Sequence, residues 1–379
     1  MAVPADRTRP GHPGSPGHPC GPVSHPARQG NRCDGFRLHR LGDRILGRER
    51  RATRPGRLRR SALTVVGVGV CGARLLVPGL VRSSRLPTGR RPCDRGPGET
   101  MTCKVIIVHG FWYGSWCWSR VVEQLAARGV MSVALDLEGH GLNGRGSSAR
   151  WDCLFGSAVF AVGLSGVAAV TVAGVMLVEQ VRVIGGGEPC VVVAHSQGGT
   201  VATAVTELAP YLFAPLVYVA AFAPIVGLPC GAYSSAPENR NELVLRLLRA
   251  VPAAVGAVRI DPGDRDAHAA IREILYGDVG EAAAIAAISL LSADGPLGMA
   301  TEAFAVTADR YGTVPRTYVV CTRDNVIPAP LQRRFIREIG AVSNAPSTVR
   351  EFVGSHSPFL AQLAALATVI AGFAGASGM

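Results

Sequence analysis

The ten residues Val191-Val-Val-Ala-His-Ser-Gln-Gly-Gly-Thr200 restrict this chain more than any other stretch. Apolar, β-branched sequence runs into Ser196, and small residues follow at once. The pattern predicts a buried strand that stops, a tight turn centred on Ser196, and a helix. Such a turn holds its central residue in a strained backbone conformation, so the neighbours must be small. Ala194 stands two before Ser196, where Gly is usual, and Gly198 and Gly199 stand two and three after it. A Ser displayed this way is a candidate nucleophile. A ten-residue pattern also arises in ordinary buried strands that lead into Gly-rich loops, so the rest of the chain must decide.

From Lys104 onward strand and helix signals alternate, which predicts a parallel α/β sheet. Strands are expected at Lys104–Val108, Met131–Leu135, Val191–His195, Leu216–Ala221, Thr317–Cys321 and Thr348–Val353. Helices are expected at Ser119–Arg128, Thr200–Leu208, Pro328–Ile339 and Pro358–Phe373. Continuous apolar strands of this kind are buried on both faces. Residues 224–300 interrupt the alternation. Their composition predicts a mostly helical insert with turns at Asp261-Pro-Gly-Asp264 and Asp294-Gly-Pro296, placed as a cap over a site. Between Asp152 and Glu179 lie 26 uncharged residues, long enough to span a bilayer. They are rich in Gly, Ala and Ser and sit inside the α/β pattern, so they are read as a loop and a packed helix ending at Gly185.

The formal charge of +12 would suggest an acidic partner if it were spread over the chain. It is not: residues 1–100 hold 20 Arg and 6 acidic residues, leaving 19 basic and 21 acidic residues in 101–379. Aromatic interleaving and nucleic-acid motifs are absent from the basic part, so no specific nucleic-acid partner is expected. Residues 1–60 are Pro-, Gly-, Arg- and His-rich with little apolar periodicity, and the whole of 1–100 is expected to be a disordered extension. The abrupt start of globular patterning at Met101 marks that residue as a candidate natural start. Residues 62–73 form a short apolar run behind Arg59-Arg60, as in a twin-Arg export signal. Arg74 interrupts the run and the cleavage site is poor. The expectation is a cytoplasmic protein, with export as the alternative, and no membrane association. The 10 Cys have no regular spacing and no Cys-x-x-Cys pair. That argues for thiols rather than a disulfide framework, and for no metal and no cofactor.

A Ser hydroxyl needs a base, and the base an orienting carboxylate. After a strand–turn–helix Ser these arrive in the order acid, then His. Asp324 follows the strand ending at Cys321, and His356 lies between the last strand and the last helix. The other His after Ser196 is His268, which falls in a polar turn of the insert and is read as solvated. Two backbone N–H groups should face a developing oxyanion: Gln197, directly after Ser196, and Phe111, in the loop His109-Gly-Phe-Trp112 where Gly110 lets the chain turn. His109 and His195 are given no proton-transfer role. Gly110, Trp112 and Trp116 are candidates for the substrate pocket, with Leu243, Val244, Leu247 and Leu248 as apolar cap residues. At least one of Trp116 and Trp118 is expected instead to pack the following helix against the sheet.

Five segments in order, Val108-His-Gly-Phe-Trp-Tyr-Gly-Ser-Trp-Cys-Trp118, Asp136-Leu-Glu-Gly-His-Gly141, Ala194-His-Ser-Gln-Gly-Gly199, Cys321-Thr-Arg-Asp-Asn-Val-Ile-Pro328 and Ser355-His-Ser-Pro358, resemble the α/β-hydrolase superfamily. Within it they are similar to the compact branch of plant methyl esterases, hydroxynitrile lyases and bacterial relatives. The resemblance covers about residues 101–379. It implies an α/β-hydrolase fold, a mostly parallel sheet flanked by helices with a helical cap, the triad Ser196, Asp324 and His356, and N–H donors at Phe111 and Gln197. It also implies a small-molecule ester as substrate and leaves the oligomeric state open. Lyases of the branch carry Thr at the place of Gly110 and Lys at the place of Ser357, so the resemblance favours hydrolysis. A carboxylesterase for small apolar esters is the leading expectation. A lactonase, a thioesterase, a C–C hydrolase and a non-catalytic small-ligand binder of the same fold are the alternatives.

Overall fold

The computed structural model describes residues 103–143 and 170–375. All lie in the second of two compact units, residues 83–379. The expectations for residues 1–100 and for 152–169 fall outside the described residues.

Six strands build one sheet: β1 Val105–Val108, β2 Ser132–Leu135, β3 Cys190–His195, β4 Phe213–Val219, β7 Arg316–Cys321 and β8 Thr348–Phe352. They are all parallel, in the order β2-β1-β3-β4-β7-β8. Burial follows position in that order. Every residue of β1, β3 and β7 is buried, because helices cover both faces. The edge strands are more open. The charged Thr-Val-Arg-Glu-Phe sequence of β8 suits an edge, since charged side chains discourage pairing with another chain.

The sheet is flanked by α1 Ser119–Ala126, α2 Val170–Gly185, α3 Gly198–Leu208, α6 Ala329–Val342 and α7 Leu363–Phe373. Helix α1 packs on α7, and α2 on α3. Helix α2 begins in the later half of the long uncharged stretch and runs past it, through Glu179 and Arg182, to Gly185. No helix among the described residues is long and apolar enough to cross a membrane.

The structure departs from the sequence expectations at several points. Strand β4 starts at Phe213 rather than Leu216. Its Pro215 lies where the β3–β4 register slips between Cys190 and Val192, an irregularity that accommodates a residue with no N–H. The helix expected over Pro358–Phe373 is two helices, Pro358–Ala361 and α7, broken at Gln362. There the backbone leaves the helical region (φ −129°, ψ 46°), while the Gln362 side chain donates to the Val353 carbonyl at 3.1 Å. The insert between β4 and β7 is less helical than its composition suggested. Its first part is a series of 3₁₀ turns, and its full-length helices are α4 His268–Leu275 and α5 Glu281–Leu290. Asp294-Gly-Pro296 is not a turn but strand β6, paired antiparallel with β5 Ala257–Arg259. The pairing sets Arg259 directly opposite Asp294, and the two make a bidentate ion pair at 2.6 and 2.8 Å. His268 is not in a turn either: it opens α4, with Nε2 2.9 Å from the Pro262 carbonyl. The expectation of thiols throughout fails at Cys103, which is disulfide-bonded. Cys117, Cys190, Cys230 and Cys321 are free and buried.

Candidate functional site

The carboxyl ends of β1, β3, β7 and β8 deliver the sequence-predicted site residues to one side of the sheet. Strand β3 ends at His195, and α3 begins at Gly198. Between them Ser196 has φ 52°, one of three non-glycine residues with positive φ among those described. The turn is over-determined. The Ser196 N–H reaches the Val219 carbonyl at 3.3 Å, and the Ser196 carbonyl accepts from Phe222 and Gly199, both at 3.0 Å. The small neighbours are required: a Cβ on Gly198 would stand 2.3 Å from the His109 carbonyl oxygen, and one on Gly199 equally close to that of Phe222.

Asp324 and His356 meet as expected. The His356 Nδ1 lies 2.8 Å from Asp324 Oδ2, and both side chains are buried. Asp324 Oδ1 accepts from the N–H groups of Val326 (2.7 Å) and Ile327 (3.0 Å). Gln332 Nε2 reaches Oδ2 at 3.3 Å. The carboxyl oxygens thus act as acceptors throughout, so His356 donates through Nδ1, and Nε2 is the nitrogen that a neutral ring would offer as base. Among the described residues Ser196 Oγ has no hydrogen-bonded partner. Contacts between a nucleophile and its base are often open without substrate.

Gln332 was missed by sequence reasoning. It sits fully buried on α6, where its amide also binds Cys321 N (3.0 Å), Cys321 O (3.1 Å) and Ile327 O (2.7 Å). One amide therefore ties the end of β7 to the turn that presents Asp324. The available signal was an amide on the apolar face of a helix that begins just after the acid.

The loop bearing His356 is held by residues read as merely structural. His195 Nε2 lies 2.9 Å from the His356 carbonyl oxygen, and the two rings are 4.5 Å apart. Burial, with His356 alongside, pushes the His195 pKa well below its ordinary value, so His195 is neutral and donates through Nε2. Ser357, at the place of the lyase Lys, is a buried hydroxyl 2.8 Å from the Tyr113 hydroxyl. Burial raises the Tyr113 pKa above its usual range.

His109 fixes the peptide that carries the Phe111 N–H, one of the two donors expected from the sequence. Its Nε2 accepts from the Leu137 N–H at 3.0 Å, so the proton must be on Nδ1, which donates to the Gly110 carbonyl at 2.7 Å. Burial lowers the His109 pKa to about 4, against the raising effects of Gly110 and Asp136, which keeps the ring in this neutral form. The Gly110 carbonyl and the Phe111 N–H belong to one trans peptide and point in opposite directions. Drawing the carbonyl towards His109 turns the Phe111 N–H away from it. Among the described residues neither the Phe111 nor the Gln197 N–H has a partner. Gly110 is pressed against the turn: a Cβ there would be 2.5 Å from Ser196 Cβ, 2.9 Å from its Oγ and 3.3 Å from Gln197 N.

A cavity of about 150 Å³ opens at Ser196. Phe111, Trp112, Gln197 and Phe222 line it from the sheet side, with Cys230, Val244, Leu245, Leu248 and Val258 from the insert. Its wall is overwhelmingly apolar, with Glu242, Asn239 and Ser234 as polar exceptions beside Ser196 and Gln197. Trp112 is therefore a lining residue, and Gly110 abuts the Ser196 turn. Trp116 is not in the lining: its ring lies 6.1 Å from that of Tyr113, half-buried against the core. Trp118 is fully buried against Phe359, with ring centroids 4.9 Å apart. Of the expected cap residues Val244 and Leu248 line the cavity, Leu247 is buried and Leu243 packs on the core. The Cys230 thiol, pushed up to about 11 by burial, stays protonated and donates to Gln197 Oε1 at 3.0 Å. No group of His, Cys, Asp and Glu among the described residues could hold a metal ion.

This geometry can be set beside known proteins. Residues 105–369 match the sequence model of the Alpha/beta hydrolase family. Putative methylesterase 11 of Arabidopsis thaliana is 24% identical over 69% of this chain and 61% of its own length, so the chain spans less than two thirds of that relative. Methyl jasmonate esterase 1 of Vitis vinifera is 26% identical over 68% of this chain and 91% of its own. Among solved structures, a pyrethroid hydrolase from Sphingobium faniae JZ-2 superposes with a TM-score of 0.56 at 22% identity, covering 72% of this chain and 97% of that one. Polyneuridine aldehyde esterase does so with a TM-score of 0.54 at 21% identity, over 71% and 98%. Six parallel strands, a strained Ser turn after β3 and a family match over most of the chain lead to one statement: this chain belongs to the α/β hydrolase family.

Proposed function

We propose that the chain is a serine carboxylesterase that cleaves small apolar esters through an acyl-enzyme on Ser196. The observation that carries this reading is the buried Asp324–His356 pair, closed at 2.8 Å, with the His356 ring 4.5 Å from that of His195, the residue that leads into the strained Ser turn and its apolar cavity. His356 Nε2 takes the Ser196 proton as Oγ attacks the ester carbonyl. The carbonyl oxygen becomes an oxyanion that the Phe111 and Gln197 N–H groups stabilise. His356 then returns the proton to the alkoxide as the C–O bond breaks and the alcohol leaves. Water, losing a proton to the same nitrogen, attacks the acyl carbon. Collapse of that second oxyanion breaks the bond to Ser196 Oγ, which recovers the proton, and the acid leaves.

Substrate size is read from the cavity. About 150 Å³ is the space that holds a benzene-sized group in an apolar protein interior. The relatives named as methylesterases point the same way, towards an ester with at least one small group. Hydrolysis is preferred over lyase chemistry on two grounds. No Cβ, and so no Thr, fits at position 110 without displacing Ser196. Position 357 offers a buried hydroxyl bonded to Tyr113 rather than an ammonium that could receive a departing anion.

The test is a panel of p-nitrophenyl esters, lactones and thioesters assayed with wild-type and Ser196→Ala protein. Short-chain esters should turn over fastest, and Ser196→Ala should abolish turnover with the fold intact. Faster turnover of lactones or thioesters would move the assignment to those classes. Absence of any Ser196-dependent turnover would favour a binding protein.

A further inference from the structure

The working groups sit at the ends of four different strands, and a strand end alone does not hold a side chain to the accuracy that proton transfer requires. In this chain each working group has an immediate neighbour in sequence that is hydrogen-bonded to the β4–β7 insert. Beside Phe111, Trp112 donates Nε1–H to the Val258 carbonyl at 2.8 Å and accepts the Ser292 N–H at 2.7 Å. Beside Ser196, the Gln197 amide donates to the Met299 carbonyl at 2.6 Å and accepts from Cys230. Beside Asp324, the Asn325 carbonyl accepts the Leu243 N–H at 2.8 Å, and its Nδ2 donates to the Glu273 carbonyl at 3.0 Å. Beside His356, the Ser355 hydroxyl donates to Asp278, just beyond α4.

We propose that the insert is the template that registers the catalytic loops, with Asn325, Ser355 and Asp278 as positioning residues for the acid and the base. The proposal rests on the reading of Ser196, Asp324 and His356 given above. Substrate contact does not explain these three residues, because none of them lines the cavity. Nor does the core: Asp278 is exposed, yet it holds the residue next to His356. Helix α4 supplies both anchors, Glu273 from its last turns and Asp278 from the residues after it. A shift of that one helix would move the Asp324 and His356 loops together. The insert therefore does two jobs with one body, walling the cavity and fixing the distance between the groups that act there.

The test uses the full chain with p-nitrophenyl acetate as substrate and a fluorophosphonate as the probe of Ser196 reactivity. Asp278→Ala and Asn325→Ala should each lower kcat about tenfold while KM stays within about twofold. Fluorophosphonate labelling of Ser196 should slow in parallel. Asp278→Asn, which keeps an acceptor for the Ser355 hydroxyl, should restore most of the rate. Asp278→Ala combined with Ser355→Ala should be no slower than the slower single variant, since both remove one contact. Because Asp278 is exposed, its replacement leaves the core intact, and the melting temperature checks this. Wild-type kcat in both Asp278→Ala and Asn325→Ala, or a lowered melting temperature with unchanged kcat, overturns the positioning role. Wild-type protein that takes no fluorophosphonate at Ser196 overturns the nucleophile assignment itself, whatever the variants do.

Discussion

Replacing Gly110 with Ala adds one methyl group at the most crowded point of the site. The new Cβ would lie 2.5 Å from Ser196 Cβ and 2.9 Å from Ser196 Oγ. Carbon atoms in contact stay about 3.5–4.0 Å apart, so either the Ser turn or the His109–Trp112 loop must yield by about 1 Å. Neither yields freely. Three backbone hydrogen bonds hold the Ser turn, and the loop is tied to His109 and, through Trp112, to the insert. A 1 Å displacement of reacting groups costs about 100-fold in rate, and overpacking costs about 1–3 kcal/mol of stability. The assay is steady-state hydrolysis of p-nitrophenyl acetate beside fluorophosphonate labelling and thermal melting. Gly340→Ala is the control: an exposed position inside α6 where nothing lies within 4 Å of the added Cβ. There the same change should raise stability by about 0.5–1 kcal/mol and leave kcat alone. A Gly110→Ala protein with kcat within about twofold of wild type would refute a catalytic role for the Ser196 turn that this glycine abuts.

Other outcomes follow from the same geometry. Asp324→Asn keeps the volume but offers an N–H or a neutral carbonyl to His356 Nδ1, so the required tautomer is no longer enforced. Turnover should fall about 10³-fold or more at an unchanged fold by circular dichroism. Trp112→Phe keeps the cavity wall but deletes the bond to Val258, which should cost about 1 kcal/mol in denaturant unfolding. The acid side of the stability profile should reflect the buried imidazoles. The His109 pKa falls from 6.5 unfolded to about 4 folded, so its contribution is full above about pH 6.5 and is lost as pH falls through 4. His140, lowered to about 3 by burial and by His109, acts in the same sense. Denaturant midpoints should therefore drop between pH 6.5 and 4, and more steeply in wild type than in His109→Gln. Equal pH slopes in the two proteins would contradict the buried neutral imidazole.

The elements that could be read from sequence are those whose local chemistry and tertiary role agree. The four interior strands are apolar because they are covered on both faces, and Ser196 sits between a β-branched run and two glycines that nothing larger could replace. Chain order singled out Asp324 and His356, and the structure joins the two at 2.8 Å. What escaped were features set by partners outside the element concerned. Asp294-Gly-Pro296 has turn composition, but the Arg259 pair opposite makes it a strand. Gln362 has no helix-breaking character of its own, yet its bond to Val353 accompanies a break in the helix expected to run from Pro358. The contacts of Asn325 and Ser355 with the insert were invisible for the same reason, each depending on a group dozens of residues away; Gln332 on α6 bonds nearer residues, but in another element. Trp116 and Trp112 show the limit from the other side. Both are aromatics in one loop, and only the fold decides that Trp112 faces the cavity while Trp116 packs beside Tyr113.

The central claim is that Ser196 is the nucleophile, activated by His356. The most direct measurement is peptide mapping by mass spectrometry after treatment with a fluorophosphonate, in wild-type, Ser196→Ala and His356→Ala proteins. The account predicts a single adduct on the peptide bearing Ser196 in wild type, none in Ser196→Ala, and greatly slowed labelling in His356→Ala. An adduct on another residue, or ester turnover by Ser196→Ala at the wild-type rate, would contradict it.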